Sequence, residues 1–190
     1  LASKSPRRRE ILTRLGIPFT VQTQNADESC DATDPCLFVE TVARRKGEVI
    51  PCTPDTIVLS ADTVVVSGQT ILGKPRDAAD CRRTLSMLSG NVHTVVTGFS
   101  LSGYADGRPV TVSSHTVTEV EFGIIPGDDL ESYITTEEPY DKAGGYAIQG
   151  HAALWIASIR GNYDNVVGLP VFDVETLLQK TFGVSLRDFS

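Results

Sequence analysis

Apolar positions along this chain repeat with two periods, one suited to helices and one to strands. Ile11, Leu12 and Leu15 form a helical stripe that Ser5 can cap, Pro6 can open at the first helical position, and Gly16 can close, with Pro18 beyond. Asp34-Pro35 repeats that opening. Leu37, Phe38, Val39, Val42 and Ala43 follow on one face, and the pattern ends in Arg44-Arg45-Lys46-Gly47. A third helix is capped by Asp77, carries Cys81, Leu85 and Leu88 on one side, and stops at Gly90. A short acidic helix is expected over residues 126–136, and Pro170 opens a last one running through Leu177 and Leu178.

The strand pattern is strongest over residues 57–66, a β-branched run of the kind buried on both faces. Ser67-Gly68-Gln69 turns it into a short return strand, Thr70-Ile71-Leu72. Residues 92–104 and 110–122 read as two long strands around a turn at 105–109, the second alternating as in a sheet with one wetter face. Residues 1–2, 19–21 and 152–159 are expected to add strands, and 160–165 to turn. Strands and helices mixed throughout predict an α/β fold with a mixed sheet. The length of 190 residues suits one domain, 1–190, with a sizeable core.

Candidate chemistry begins with Asp62, the one carboxylate in the central run. Burying such a group unpaired is costly, so it is either a structural acid paired with a base or an acid held for chemistry. The hairpin after it can bring Lys74, in Gly73-Lys74-Pro75, to the same region. The opening helix has a second oddity, Arg7, Arg8 and Arg9 in its first turn. Cations there oppose the helix dipole by roughly 0.3–1 kcal/mol each. Together with the hydroxyls of Ser3 and Ser5 and the unfilled N–H groups, they favour a phosphate cradle over a solvated basic helix end.

Lys46, at the end of the second helix, sits where basic residues are ordinary. Asp27 and Glu28 lie in an acidic loop whose simplest reading is a solvated one. Further on, Gly144-Gly145 permit a tight backbone path, while Asp141, Lys142 and Gln149 supply a carboxylate, an ammonium and a planar amide able to read a base edge.

Composition narrows the partners. A net charge of −7 argues against broad contact with a nucleic-acid backbone, though local basic clusters still suit small anions. No apolar run approaches the roughly 18 residues that span a membrane. No secretory h-region opens the sequence either, so a cytoplasmic protein with reduced thiols is expected. Four cysteines without C-x-x-C spacing and three scattered histidines point away from zinc and from a Cys/His nucleophile. Neither a P-loop nor a G-x-G-x-x-G fingerprint is present. Basic residues that bind phosphate, beside carboxylates that hold a divalent ion or orient water, suggest hydrolysis or transfer at a polyphosphate.

Six motifs in order, at residues 1–12 (LASKSPRRREIL), 61–66 (ADTVVV), 71–75 (ILGKP), 88–90 (LSG), 141–150 (DKAGGYAIQG) and 165–170 (NVVGLP), closely resemble the Maf family. The resemblance implies a nucleoside triphosphate pyrophosphatase that cleaves between the α and β phosphates. It implies a fold similar to the inosine triphosphate pyrophosphatases: an elongated mixed sheet flanked by helices, in two lobes with a cleft. By the same resemblance Asp62 is the proton acceptor. Ser3, Arg7, Arg8, Lys46 and Lys74 are phosphate-side residues, and Glu28 joins Asp62 at a Mg²⁺ or Mn²⁺ ion. Arg7, Thr63 and Gln149 bear on substrate choice.

The motifs around Thr63 and Gln149 resemble the branch acting on dTTP and UTP, including some modified pyrimidine nucleotides. His151 and Ala152 after Gln149-Gly150 depart from the family pattern, as does a short segment at 47–55. Alternatives are the same chemistry on a deaminated purine or 7-methyl-GTP, and a non-catalytic nucleotide-binding regulator of cell division. A homodimer is the expected assembly, on family likeness.

Overall fold

The structure is a computed structural model that describes residues 1–189. Helices α1 (Pro6–Arg14) and α2 (Pro35–Glu48) precede the hairpin of β1 (Val58–Ser67) and β2 (Thr70–Leu72). Then come α3 (Ala78–Leu88), the long strands β3 (Val92–Ala105) and β4 (Arg108–Phe122), and α4 (Gly127–Ile134). Three 3-10 turns lead to β5 (Ile156–Arg160), and α5 (Tyr163–Val167) and α6 (Val171–Phe182) follow. The strands form one five-stranded sheet in the order β2-β1-β3-β4-β5, so the α/β expectation holds. β1 and β2 pair antiparallel, with Val65 opposite Leu72 and Ser67 opposite Thr70. β4 and β5 also pair antiparallel, with a register shift at Glu121/Phe122.

The described residues divide into two compact units. The first comprises residues 1–62, 97–116 and the C-terminal segment from 168. Here α2 lies close on the strands because glycine lets it: a Cβ on Gly98 would stand 2.4 Å from the backbone of Val39. Such contacts make a side chain there impossible without moving the helix. Val39, Val42 and Ala43 are fully buried on the face the pattern predicts.

The second unit comprises residues 63–96 and 117–167. Its core gathers Val65, Leu72, Cys81, Leu85, Leu88, Val95, Val120, Phe122, Tyr133, Tyr146 and Trp155. The buried face of α3 is Cys81, Thr84, Leu85 and Leu88, as its periodicity requires. Asp77 caps that helix, accepting from the Asp80 N–H at 2.8 Å. Edge-to-face rings, His93–Phe122 at 5.0 Å, Phe122–Tyr146 at 4.8 Å and Tyr133–Trp155 at 5.0 Å, complete the packing.

Four local expectations are corrected. Residues 1–2 and 19–21 form no strand: the Leu1 ammonium donates to the Thr20 carbonyl, the Gln22 N–H to Leu1 and the Ala2 N–H to Leu59, too few bonds to make a ladder. Ser5 does not cap α1 with its side chain; its own N–H instead donates to Ser3 Oγ at 3.2 Å. The strand expected over 152–159 begins only at Ile156, because His151–Trp155 winds as a 3-10 turn. The turn expected over 160–165 is confined to 161–162: Arg160 ends β5, and from Tyr163 the chain winds into α5, whose Asn165 N–H is held by Asn162 Oδ1 at 3.0 Å.

Candidate active site

β1 presents Ser60 and Asp62 two residues apart, hence on the same face of the strand. Ser60 Oγ donates to the Ala43 carbonyl of α2 at 2.6 Å, tying the helix's last turns to the strand. Gly47 keeps that approach open, since a Cβ there would meet Ser60 Oγ at 2.8 Å. Lys46 is thereby laid over Asp62. Its Nζ donates to Asp62 Oδ1 at 2.7 Å and lies 3.1 Å from Glu28 Oε2. Lys46 and Asp62 are largely shielded, at 19% and 16% exposure, whereas Glu28 is 63% exposed.

The loop bearing Glu28 is pinned from both sides. Arg45 of α2 donates to the Ser29 carbonyl and lies 3.7 Å from Asp27. Asp27 Oδ1 accepts from Ser29 N and Oγ, which holds the Asp27 carboxyl below its ordinary value. The acidic loop is thus solvated, as its sequence suggests, and also hydrogen-bonded to α2 through Arg45.

Arg8 turns inward from the first turn of α1. It is 9% exposed; Nη1 donates to Ser3 Oγ at 3.0 Å and Nε to the Gly168 carbonyl at 2.7 Å. Burial pushes its guanidinium pKa down to about 10; the charges of Asp62 and Glu28 pull it back up and that of Arg7 lowers it. At neutral pH Arg8 stays a cation, and its field reaches both carboxylates. The three arginines thus divide: Arg8 is inside, Arg7 half-buried beside it, and Arg9 donates to the Lys4 carbonyl at the surface.

Ser3, Arg8, Lys46, Asp62 and Glu28 are therefore brought together in the first unit, with Arg7 coupled to them by charge. Thr63, Lys74 and Gln149 belong to the second unit. Lys74 is exposed just past β2, where the Gly144 N–H donates to the Gly73 carbonyl at 3.0 Å. Gly144 has φ +69°, and Val65 fills the space a side chain would need, at 2.8 Å. Gln149 is exposed, three residues beyond Tyr146, whose hydroxyl pairs with His93 Nε2 at 2.6 Å in the core. Burial drives the His93 pKa down to about 4, so the ring is neutral at pH 7.

Sequence reasoning missed the Gly168 carbonyl and the Ser60–Ala43 bond. A glycine with φ +121° inside the 165–170 motif is the trace of the first; the second joins residues 17 apart and leaves no local signal.

The donor set suits a hard divalent cation. Among the described residues no group of three or more His, Cys, Asp or Glu is placed to hold a metal ion. Asp62 and Glu28 nevertheless both face the one Lys46 ammonium. Mg²⁺ commonly takes only one or two carboxylates, completing its shell with waters and substrate phosphates. Two oxygen donors converging on a single positive charge fit that pattern. No described helix is long and apolar enough to cross a membrane.

Comparison with known proteins identifies the family. Residues 1–181 match the family described as Maf-like protein. A dTTP/UTP pyrophosphatase of Moorella thermoacetica is 47% identical, covering 98% of this chain and 95% of its own length. Proteins of the same name from Anaeromyxobacter dehalogenans and Alkaliphilus metalliredigens are 42% and 43% identical, covering 95% and 98% of this chain and 92% and 97% of their own lengths. The chain belongs to the Maf-like protein family.

Proposed function

We propose that this chain is a nucleoside triphosphate pyrophosphatase that hydrolyses the α–β phosphate bond of dTTP and UTP, releasing the nucleoside monophosphate and pyrophosphate. The observation that carries the reading is Lys46 held between Asp62 and Glu28 beside a buried, charged Arg8. Carboxylates able to orient water stand next to cations able to gather phosphate charge. Relatives at 42–47% identity named dTTP/UTP pyrophosphatase support the choice of base and of pyrophosphate as a product.

In this reading Asp62 accepts the proton of the attacking water. Asp62 and Glu28 hold Mg²⁺ or Mn²⁺, which when bound neutralises phosphate charge and lowers the pKa of coordinated water. Lys46 exchanges its carboxylate partners for the triphosphate, and Arg7, Arg8, Ser3 and Lys74 share the phosphate oxygens. The positive charge of Lys46, Arg7, Arg8 and Lys74 favours the leaving pyrophosphate, whose charge grows as the bond breaks. Thr63 and Gln149 act on the nucleoside. The protein works as a single domain over residues 1–190, as a homodimer in the cytoplasm, with no nucleic-acid or membrane partner.

The test is a panel of dTTP, UTP, CTP, ITP and 7-methyl-GTP with Mg²⁺, measuring pyrophosphate and orthophosphate together. Pyrophosphate from dTTP and UTP in preference to the others is expected. Orthophosphate as the first product, or no turnover on any of them, would sink the proposal.

A further inference from the structure

We infer that Glu138 is a positioning residue for base selection, acting through the segment that carries Gln149. The inference rests on the function proposed above. Glu138 opens a 3-10 turn, Glu138–Asp141, and its carboxylate is 19% exposed. Oε1 accepts from the His151 N–H at 3.1 Å and from the Tyr133 hydroxyl at 3.2 Å. Oε2 pairs with His151 Nδ1 at 2.9 Å. Tyr133 is itself packed edge-to-face on Trp155 in the core of the second unit, so the brace is anchored to something rigid.

Gly150 is where this brace meets the loop. A Cβ there would stand 1.8 Å from Glu138 Oε1, so the carboxylate fills the space that any other residue would claim. The Gly150 N–H closes back on the Ala147 carbonyl at 3.1 Å. On the other side the Tyr146 hydroxyl is bound to His93. Residues 147–149 thus run between two fixed points, Tyr146 and the Gly150–His151 backbone. Gln149 projects from that short span, exposed, and its amide makes no hydrogen bond to another described residue.

An amide discriminates between bases only if its donor and acceptor ends are held in one orientation. Gln149 has no side-chain partner to hold it, so its aim depends on the backbone beneath it. Glu138 supplies half of that backbone's anchorage without belonging to the phosphate-handling cluster of the first unit. A loosened span leaves the reacting phosphates served as before and blurs the choice of base. Glu138 therefore acts on selectivity rather than on the chemical step.

The experiment compares Glu138→Ala and Glu138→Gln with the unmutated protein, on dTTP and CTP. Glu138→Ala is expected to keep kcat on dTTP within about threefold, raise KM about tenfold, and narrow the dTTP/CTP ratio of kcat/KM about tenfold. Glu138→Gln, which keeps the shape and the acceptor for the His151 N–H, should restore most of the ratio. Equal losses of kcat on both nucleotides, or an unchanged ratio, would overturn the inference. Should Glu138→Ala not fold, as read by circular dichroism, Glu138→Asp withdraws the carboxylate by one methylene and carries the same two outcomes. No turnover by the unmutated protein overturns the proposed function and this inference together; normal turnover with unaltered preference overturns the inference alone.

Discussion

The cluster around Lys46 and the segment around Gln149 solve opposite problems. In the first unit, two carboxylates and at least two cations are held so that each compensates the others: Lys46 on Asp62 and Glu28, Arg8 on Ser3 and Gly168 with both acids in its field. The groups able to do chemistry are already engaged with one another. In the second unit the fixed groups are the supports, Tyr146 on His93 and Glu138 on His151, while Gln149 is left uncommitted. Charged groups need compensation before substrate arrives, because an isolated buried charge is expensive. A neutral amide at the surface does not, since water satisfies it. The contrast separates where rate should be set from where choice should be set.

Asp62→Asn strikes the first region hardest. It nearly preserves shape but removes a charge and a proton acceptor, and turnover should fall about a thousandfold or more, with secondary structure unchanged by circular dichroism. Retention of full hydrolysis would erase the distinction between the two regions. Lys46→Met comes next. Under the proposed function turnover should fall roughly a hundredfold, because the cation assigned there to the developing phosphate charge is lost. The freed carboxylates should then bind Mn²⁺ more tightly than in the unmutated protein without nucleotide, a change visible by electron paramagnetic resonance. Weaker Mn²⁺ binding would mean that Lys46 and the metal do not contend for the same charge.

The smallest effect lies in the second region and concerns stability. The folded protein keeps His93 neutral down to about pH 4, whereas the ordinary value is 6.5. On acidification the unfolded chain therefore takes up the proton first. Stability from this group is complete above 6.5 and is lost as pH falls towards 4, roughly 2 kcal/mol between pH 7.5 and pH 5. Urea unfolding at those two values measures it. His93→Gln, which does not titrate there, should flatten the difference; an equally steep loss in that variant would place the acid sensitivity elsewhere.

The legible parts of the molecule were those whose causes are local. Asp34-Pro35 marks the start of α2, Ser67-Gly68-Gln69 the hairpin, and Gly90, with φ +68°, the end of α3. Residues 152–155 were misread because a short apolar run does not announce its own conformation. The Glu138 carboxylate, 13 residues upstream, binds the His151 N–H at the opening of that 3-10 turn. The site divides the same way. Asp62 declares itself as a lone acid in an apolar strand, yet Lys46 has an ordinary explanation at the end of a helix. Only the resemblance to Maf proteins singled it out, because its meeting with Asp62 depends on how α2 lies against β1.

That meeting is governed by an atom that is not there. With hydrogen as its side chain, Gly47 acts as a spacer of minimum thickness between helix and strand, and a methyl group would have to displace Ser60 Oγ or lift the helix. Lifting it would lengthen the reach from ammonium to carboxylate, although residue 47 offers no functional group of its own. The distance between the site's ammonium and its strand acid is thus exposed to selection at a position that carries no chemistry.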